Sequence, residues 1–173
     1  MVAAEEYGFM KDLDGRGLMA ESGLDYFKSA STFGALSDEA IRYLLSHGQV
    51  YAVESGEPVF TEGERGDFFV VVLQGKVGYY RESEGRRVLI REVTFGQEVG
   101  YVSMIGLFCR QGSVSALEPS ILLRISTDLF YQLHIDYPSD FGILMLNLSR
   151  ELARTISGIN DKLVEVSLHP KTD

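Results

Sequence analysis

The chain has 173 residues, 45% of them hydrophobic and 24% charged, with a net charge of −9. This composition is that of one globular domain with a short appendage, neither disordered nor membranous. The acidic balance argues against nucleic acid as a partner, because a phosphate backbone repels such a surface. The densest basic stretch, RESEGRRVLIRE, is itself interleaved with acids.

No apolar run approaches the length of a membrane span, and the N-terminal MVAAEEYG carries acids where a secretory leader carries positive charge. The single cysteine allows no internal disulfide and suits a reducing, cytoplasmic setting.

In chain order, residues 1–30 are acidic and carry glycines at 8, 15, 17 and 23, with weak periodicity. They read as a mobile or loosely docked lead-in, with a short helix near Leu24–Ser29. The stretch LSDEAIRYLLSHG follows. Ser37 is positioned as an N-cap, Ile41, Leu44 and Leu45 share one helical face, and Gly48 closes the helix.

From Gln49 the texture becomes β-rich: QVYAVESGEPVF, GDFFVVVLQGKVGYYRES, RRVLIREVTFG, GSVSALEPS and ILLRIS, separated by turn clusters. Short strands at this spacing predict an antiparallel sandwich or barrel. One helical interruption is expected, near Tyr101–Leu107. After Ser126 a short helix ends at Pro138, and a long amphipathic helix begins, capped by Ser139 or Asp140 and ended by Pro170. Its apolar positions Leu152, Ile156, Ile159, Leu163 and Val166 step by 4, 3, 4 and 3. That spacing is the seam of a two-stranded coiled coil and predicts a homodimer; packing on the chain's own β-domain is the alternative.

The segment ESGEPVFTEGERGDFFVVVLQGKVGYY, with glycines at 56, 63, 66 and 75 and Asp67, resembles the front half of a cyclic-nucleotide-binding domain. Tight antiparallel turns call for such glycines. The resemblance extends over about residues 33–168, and the long helix is similar to the dimer helix of catabolite-activator-type regulators. It implies a mainly β fold with flanking helices, an antiparallel β-roll or double-stranded jelly-roll barrel. The implied divisions are a lead-in (1–30), the β-roll with its N-terminal helix (31–137), a dimerisation helix (138–168) and a tail (169–173). Regulators of this class continue into a helix-turn-helix, whereas this sequence stops at Asp173; this chain alone is expected not to read DNA.

Within that family VGYVSMIGLFCRQGSVSA (99–116) corresponds to the phosphate-binding cassette. A register starting at Phe95–Gly96 would put Gln97 or Glu98 in the acidic position but leave Arg110 too far along. The register starting at Val99–Gly100 runs without a gap. It implies a ligand site formed by Gly100, Tyr101, Val102, Ser103, Arg110 and Gln111, with Asn160 of the long helix beside Ile159 over the base.

Arg110 would grip the phosphate of cyclic AMP, cyclic GMP or another small anion, since a guanidinium fits paired oxygens bidentately; an internal salt bridge is the structural alternative. Its replacement by alanine is expected to abolish anion binding and leave the fold intact. Tyr101 stands where nucleotide-binding members have a glutamate for the ribose hydroxyl. It either contacts the ligand or fills its space, and Glu98 is a carboxylate that could swing into that role. Losing a hydrogen bond to a charged group costs about 1.5–3 kcal/mol, or roughly ten- to a hundredfold in affinity.

Cys109 reads either as an activated thiol beside Arg110 or as a buried structural residue. His47, His134 and His169 all fall outside the strands, which argues against a metal-dependent cupin or a histidine-ligated haem. No catalytic constellation is legible. No cofactor or metal is expected, and the role is that of a regulatory module. A degenerate domain retained for protein–protein contact is the alternative.

Overall fold

The computed structural model describes residues 11–168. The elements are β1 (Lys11–Leu13), α1 (Gly15–Ser22), α2 (Leu24–Lys28), a 3-10 turn (Ser31–Phe33), α3 (Asp38–His47), β2 (Gln49–Val53), β3 (Pro58–Phe60), β4 (Phe68–Gln74), β5 (Lys76–Ser83), β6 (Arg86–Thr94), β7 (Glu98–Val99), α4 (Tyr101–Gly106), β8 (Ser113–Ala116), β9 (Ser120–Ser126), α5 (Thr127–Asp136) and α6 (Pro138–Leu168).

The strands form two antiparallel sheets, one in the order β1-β2-β9-β4-β7 and the other β3-β8-β5-β6. They face each other as a β-roll, as expected, but remain two sheets rather than a closed barrel.

β4 shows why. Its sequence FFVVVLQ is apolar almost throughout because both faces of its sheet are covered. Phe68, Val70 and Val72 join Tyr51, Phe60, Val77, Val93, Val114 and Leu122 between the sheets. Phe69, Val71 and Leu73 point the other way, into a second core with Phe27, Phe33, Ile41, Leu44, Leu45, Leu144 and Leu148 of the helices. A period of two along one strand thus serves two cores.

α3 forms as its sequence predicts: the Ser37 hydroxyl accepts from the Ala40 N–H, and Ile41, Leu44 and Leu45 are buried. The irregular lead-in expected over residues 1–30 is different. Residues 1–10 lie outside the described residues; β1 and α1 are regular elements where irregular chain was expected, while α2 is the short helix expected near Leu24–Ser29. Phe27 is fully buried. Gly15, read in the sequence as a sign of irregularity, sits where a Cβ would lie 2.0 Å from the Leu45 carbonyl oxygen. It marks a close helix–helix approach that no periodicity announces.

The long helix packs on the chain's own body, the second of the sequence-based alternatives, along its first half only. Leu144 and Leu148 are buried in the helix-side core and Leu152 packs against it, whereas Ile156, Ile159, Leu163 and Val166 are exposed. Pro138 is its first residue, where a missing N–H costs nothing. The expected cap Asp140 serves elsewhere. Its carboxylate accepts from the Ser37 N–H at 2.6 Å and from the Ser37 hydroxyl at 2.9 Å, tying α6 to the start of α3. Pro170 lies outside the described residues. No helix among the described residues is long and apolar enough to cross a membrane.

Candidate functional site

α4 begins where the ungapped register puts it. Gly100 precedes it with φ of 97°, and β8 follows after a short loop. The loop carries Arg110 inward, and only 1% of its surface is exposed. Its Nη1 donates to the Gly100 carbonyl at 2.7 Å and its Nη2 to the Phe68 carbonyl at 2.6 Å. The guanidinium carbon lies 4.2 Å from the Phe60 ring centre and 4.4 Å from that of Phe68. Its backbone is fixed as well: Arg110 N–H donates to Glu64 and Gly63 N–H donates to Arg110. The planar cation is thus held against two aromatic rings and directed by two carbonyls.

The same ring holds a second arginine. The Arg124 guanidinium carbon, from β9, is 3.9 Å from the Phe68 centroid. On β9, Leu122 faces the inter-sheet core while Leu123 and Ile125 face the helices, so alternation turns Arg124 inward too. Sequence reasoning overlooked Phe60, Phe68 and Arg124. The signal was the alternation in SILLRIS, which puts an arginine in register with a core leucine.

The other expected site residues scatter. Gly100 touches Arg110, and a Cβ there would lie 2.9 Å from its Nη1. Ser103 is one of the buried residues of α4, and its carbonyl accepts from the Phe108 N–H. Val102 is exposed, and Gln111 is exposed with its amide donating to the Cys109 carbonyl. Asn160 and Ile159 lie on the exposed distal half of α6. Cys109 is exposed rather than a buried structural residue. Tyr101 is almost wholly buried, but in the helix-side core, away from the inter-sheet core that holds Phe60 and Phe68. Burial, and then the Glu98 charge, hold its phenol well above its ordinary pKa.

Glu98 is likewise engaged away from Arg110. It is buried, with its carboxyl hydrogen-bonded to the Thr32 hydroxyl. That hydroxyl also lies 2.8 Å from the Gly96 carbonyl, to which it donates. A hydroxyl has one proton to give. The Thr32 hydroxyl thus shares its proton between the Glu98 carboxyl and the Gly96 carbonyl. Burial raises the Glu98 pKa above its usual value of 4.5, and the hydrogen bond from Thr32 offsets part of that rise.

Around it, Arg91 of β6 donates to the Glu98 carbonyl at 3.3 Å and pairs with Glu151 of α6 at 3.2 Å. Asn147 of α6 donates to the carbonyls of Thr32 and Gly34. The strand leading into the cassette is thereby joined to the long helix.

A raised folded-state pKa means the folded protein holds the Glu98 proton more tightly than the unfolded chain. Its contribution to stability is thus present below about 4.5 and declines as pH rises through the raised pKa. Glu98→Gln keeps the shape and removes the titration. Urea midpoints measured across this range are expected to show wild type losing stability relative to the variant as pH increases; a constant difference would refute it.

The body is a two-sheet β-roll with a buried arginine behind a short glycine-capped helix. Residues 51–137 match the cyclic nucleotide-binding domain family, and the chain belongs to that family. It resembles a crystal structure of a cyclic nucleotide-binding domain from Methylobacillus flagellatus with 27% identity and a TM-score of 0.79, over 98% of this chain and 93% of the other. The Catabolite Activator Protein of Thermus thermophilus is similar at 25% identity and a TM-score of 0.69, over 79% of this chain and 63% of that one. The cAMP-dependent protein kinase regulatory subunit of Yarrowia lipolytica is 29% identical over 122 residues, covering 69% of this chain and 32% of that protein. The chain thus spans about a third of that curated relative.

Proposed function

We propose that this chain is a regulatory, non-catalytic sensing module. It binds a small anion at Arg110, a cyclic nucleotide or a related phosphate or carboxylate, and passes occupancy to a partner through α6. The observation that carries this reading is Arg110 itself: a buried guanidinium aimed by the Gly100 and Phe68 carbonyls at the start of the cassette helix. The relatives named above, regulators that include a cAMP-dependent kinase subunit, support it.

Calorimetric titration with cyclic AMP and cyclic GMP, each repeated on Arg110→Ala and on the charge-preserving Arg110→Lys, tests it. Binding that disappears in Arg110→Ala is the expected result. Binding that persists unchanged refutes the assignment of Arg110.

A second reading, a domain kept for protein contact without a nucleotide, is favoured by Tyr101. Its ring is buried in the helix-side core rather than beside Arg110, so the family's ribose contact is not supplied from that position. Absence of heat with both nucleotides, together with an intact fold, would favour it.

Under either reading the chain works as a homodimer in a cytoplasmic setting. Ile156, Ile159, Leu163 and Val166 are 56–66% exposed on α6 and form a 3-4-3 seam that a second copy would cover. Light scattering is expected to give twice the chain mass. The Ile159→Glu/Leu163→Glu pair, which touches nothing in the body, is expected to weaken association at least a hundredfold without altering the β-roll's far-ultraviolet circular dichroism spectrum. A monomeric wild type would end the dimer proposal.

A further inference from the structure

A cleft of about 240 Å³ is lined by Ser31, Glu98, Asn147, Arg150, Glu151 and Arg154. Val99 faces the inter-sheet core, so alternation along β7 turns Glu98 to the other side of that strand, toward the 3-10 turn and α6. The cleft is therefore on the helix side of the body, away from the Phe60 and Phe68 rings that hold Arg110. Its volume is that of about eight liquid waters at ~30 Å³ each, room for a small metabolite.

Glu98 sets the character of one wall. Only 3% of its surface is exposed, yet it has no salt bridge among the described residues. A carboxyl buried to this degree is uncommon without a cationic partner. Thr32 engages its Oε2, and Arg91 is directed to the Glu98 carbonyl and to Glu151 instead of the Glu98 carboxyl.

The cations come from α6, where Arg150 and Arg154 stand one turn apart. Arg150 donates from Nη1 to the Asn147 amide oxygen at 2.9 Å, and Arg154 from Nη1 to Glu151 at 3.5 Å. A guanidinium has five N–H donors, so each keeps most of its fork for a ligand. Asn147 is itself fixed by the Thr32 and Gly34 carbonyls, which sets this wall in advance.

Both signs in one small cleft decide the ligand class. A simple anion meets two glutamates, a simple cation meets two arginines, and a neutral molecule compensates neither. A small zwitterion, with its charges a few atoms apart, answers both walls. We propose that this cleft binds a free α-amino acid, its carboxylate on Arg150 and Arg154 and its ammonium on Glu98. The site is separate from Arg110, so the inference goes beyond the function proposed above and does not depend on it.

The full chain is screened by thermal shift against the twenty standard L-amino acids at millimolar concentration, and the largest shift is followed by calorimetry. One site per chain is expected. The N-acetyl derivative of that amino acid lacks the ammonium, and its α-amide lacks the carboxylate; each is expected to bind about tenfold more weakly or worse. Arg154→Gln, at a side chain 67% exposed, is expected to weaken binding several-fold, as are Arg150→Gln and Glu98→Gln. Arg110→Lys is expected to leave it unchanged. Melts without ligand check that each variant is folded, and the two exposed arginine variants carry the test if Glu98→Gln does not fold.

No shift with any amino acid, equal binding of the blocked derivatives, or wild-type affinity in both arginine variants overturns the proposal and leaves the Arg110 reading untouched. Binding lost in Arg110→Lys but kept in Arg150→Gln and Arg154→Gln also overturns it, by moving the ligand to the cassette.

Discussion

Arg110→Ala is expected both to eliminate anion binding and to lower the thermal midpoint by about 6–12 °C. From the sequence this substitution looks harmless to the fold; burial changes that expectation. The substitution takes the donors from the Gly100 and Phe68 carbonyls and leaves a gap between the Phe60 and Phe68 rings. An unsatisfied buried polar group costs about 1–3 kcal/mol, so two of them and the lost packing amount to roughly 3 kcal/mol. For a domain of this size each kcal/mol moves the midpoint by about 2–4 °C. Arg110→Lys restores one donor and the charge and is expected to recover part of the stability. A melt of Arg110→Ala that coincides with wild type would mean that the guanidinium does not brace the cassette.

Gly96→Ala is expected to cost about 3 kcal/mol or more, although the change adds a single methyl group. Gly96 has φ of 77°, where a side chain costs about 1–2 kcal/mol by itself. A Cβ there would also lie 2.6 Å from Ala30 Cα and 2.9 Å from the Ser31 nitrogen, both backbone atoms that cannot swing aside. The Gly96 carbonyl accepts from the Thr32 N–H and from the Ser31 and Thr32 hydroxyls, so displacement would loosen three bonds at once. Gly63 is the control: its φ is 90°, yet nothing lies within 4 Å of the added Cβ. Gly63→Ala is expected to cost only the backbone strain, roughly 1–2 kcal/mol. Denaturant melts of the two variants should therefore separate clearly; equal losses would show that strain alone, and not the approach of residues 30–31, governs the turn.

The balance between local and tertiary information can be traced residue by residue. The α3 helix, the strand runs, the position of α4 and the long α6 were all legible, because each depends on local periodicity and on punctuation by glycine and proline. The continuous apolar run of β4 was legible as a strand, though which residues faced which core was not. Arg110 stood out because an arginine in an apolar stretch needs something to hold it.

What the sequence could not disclose depends on which elements meet. Tyr101 and Arg110 are nine residues apart and look like neighbours in one site. The turn of α4 sends the first into the helix-side core and the chain's return into β8 brings the second between the Phe60 and Phe68 rings. Asp140 looked like a helix cap and instead anchors Ser37, 103 positions away in the chain. Glu98 found its partner in Thr32, a pairing set by where the 3-10 turn crosses β7.

The sequence alone determined α3, the strand runs from β2 onward and the long α6, since propensity, capping and alternation act over a few residues. Only the tertiary structure decided that Arg124 shares Phe68 with Arg110. Two residues fourteen positions apart acquire a common neighbour when β9 pairs with β4 and the cassette folds back over both.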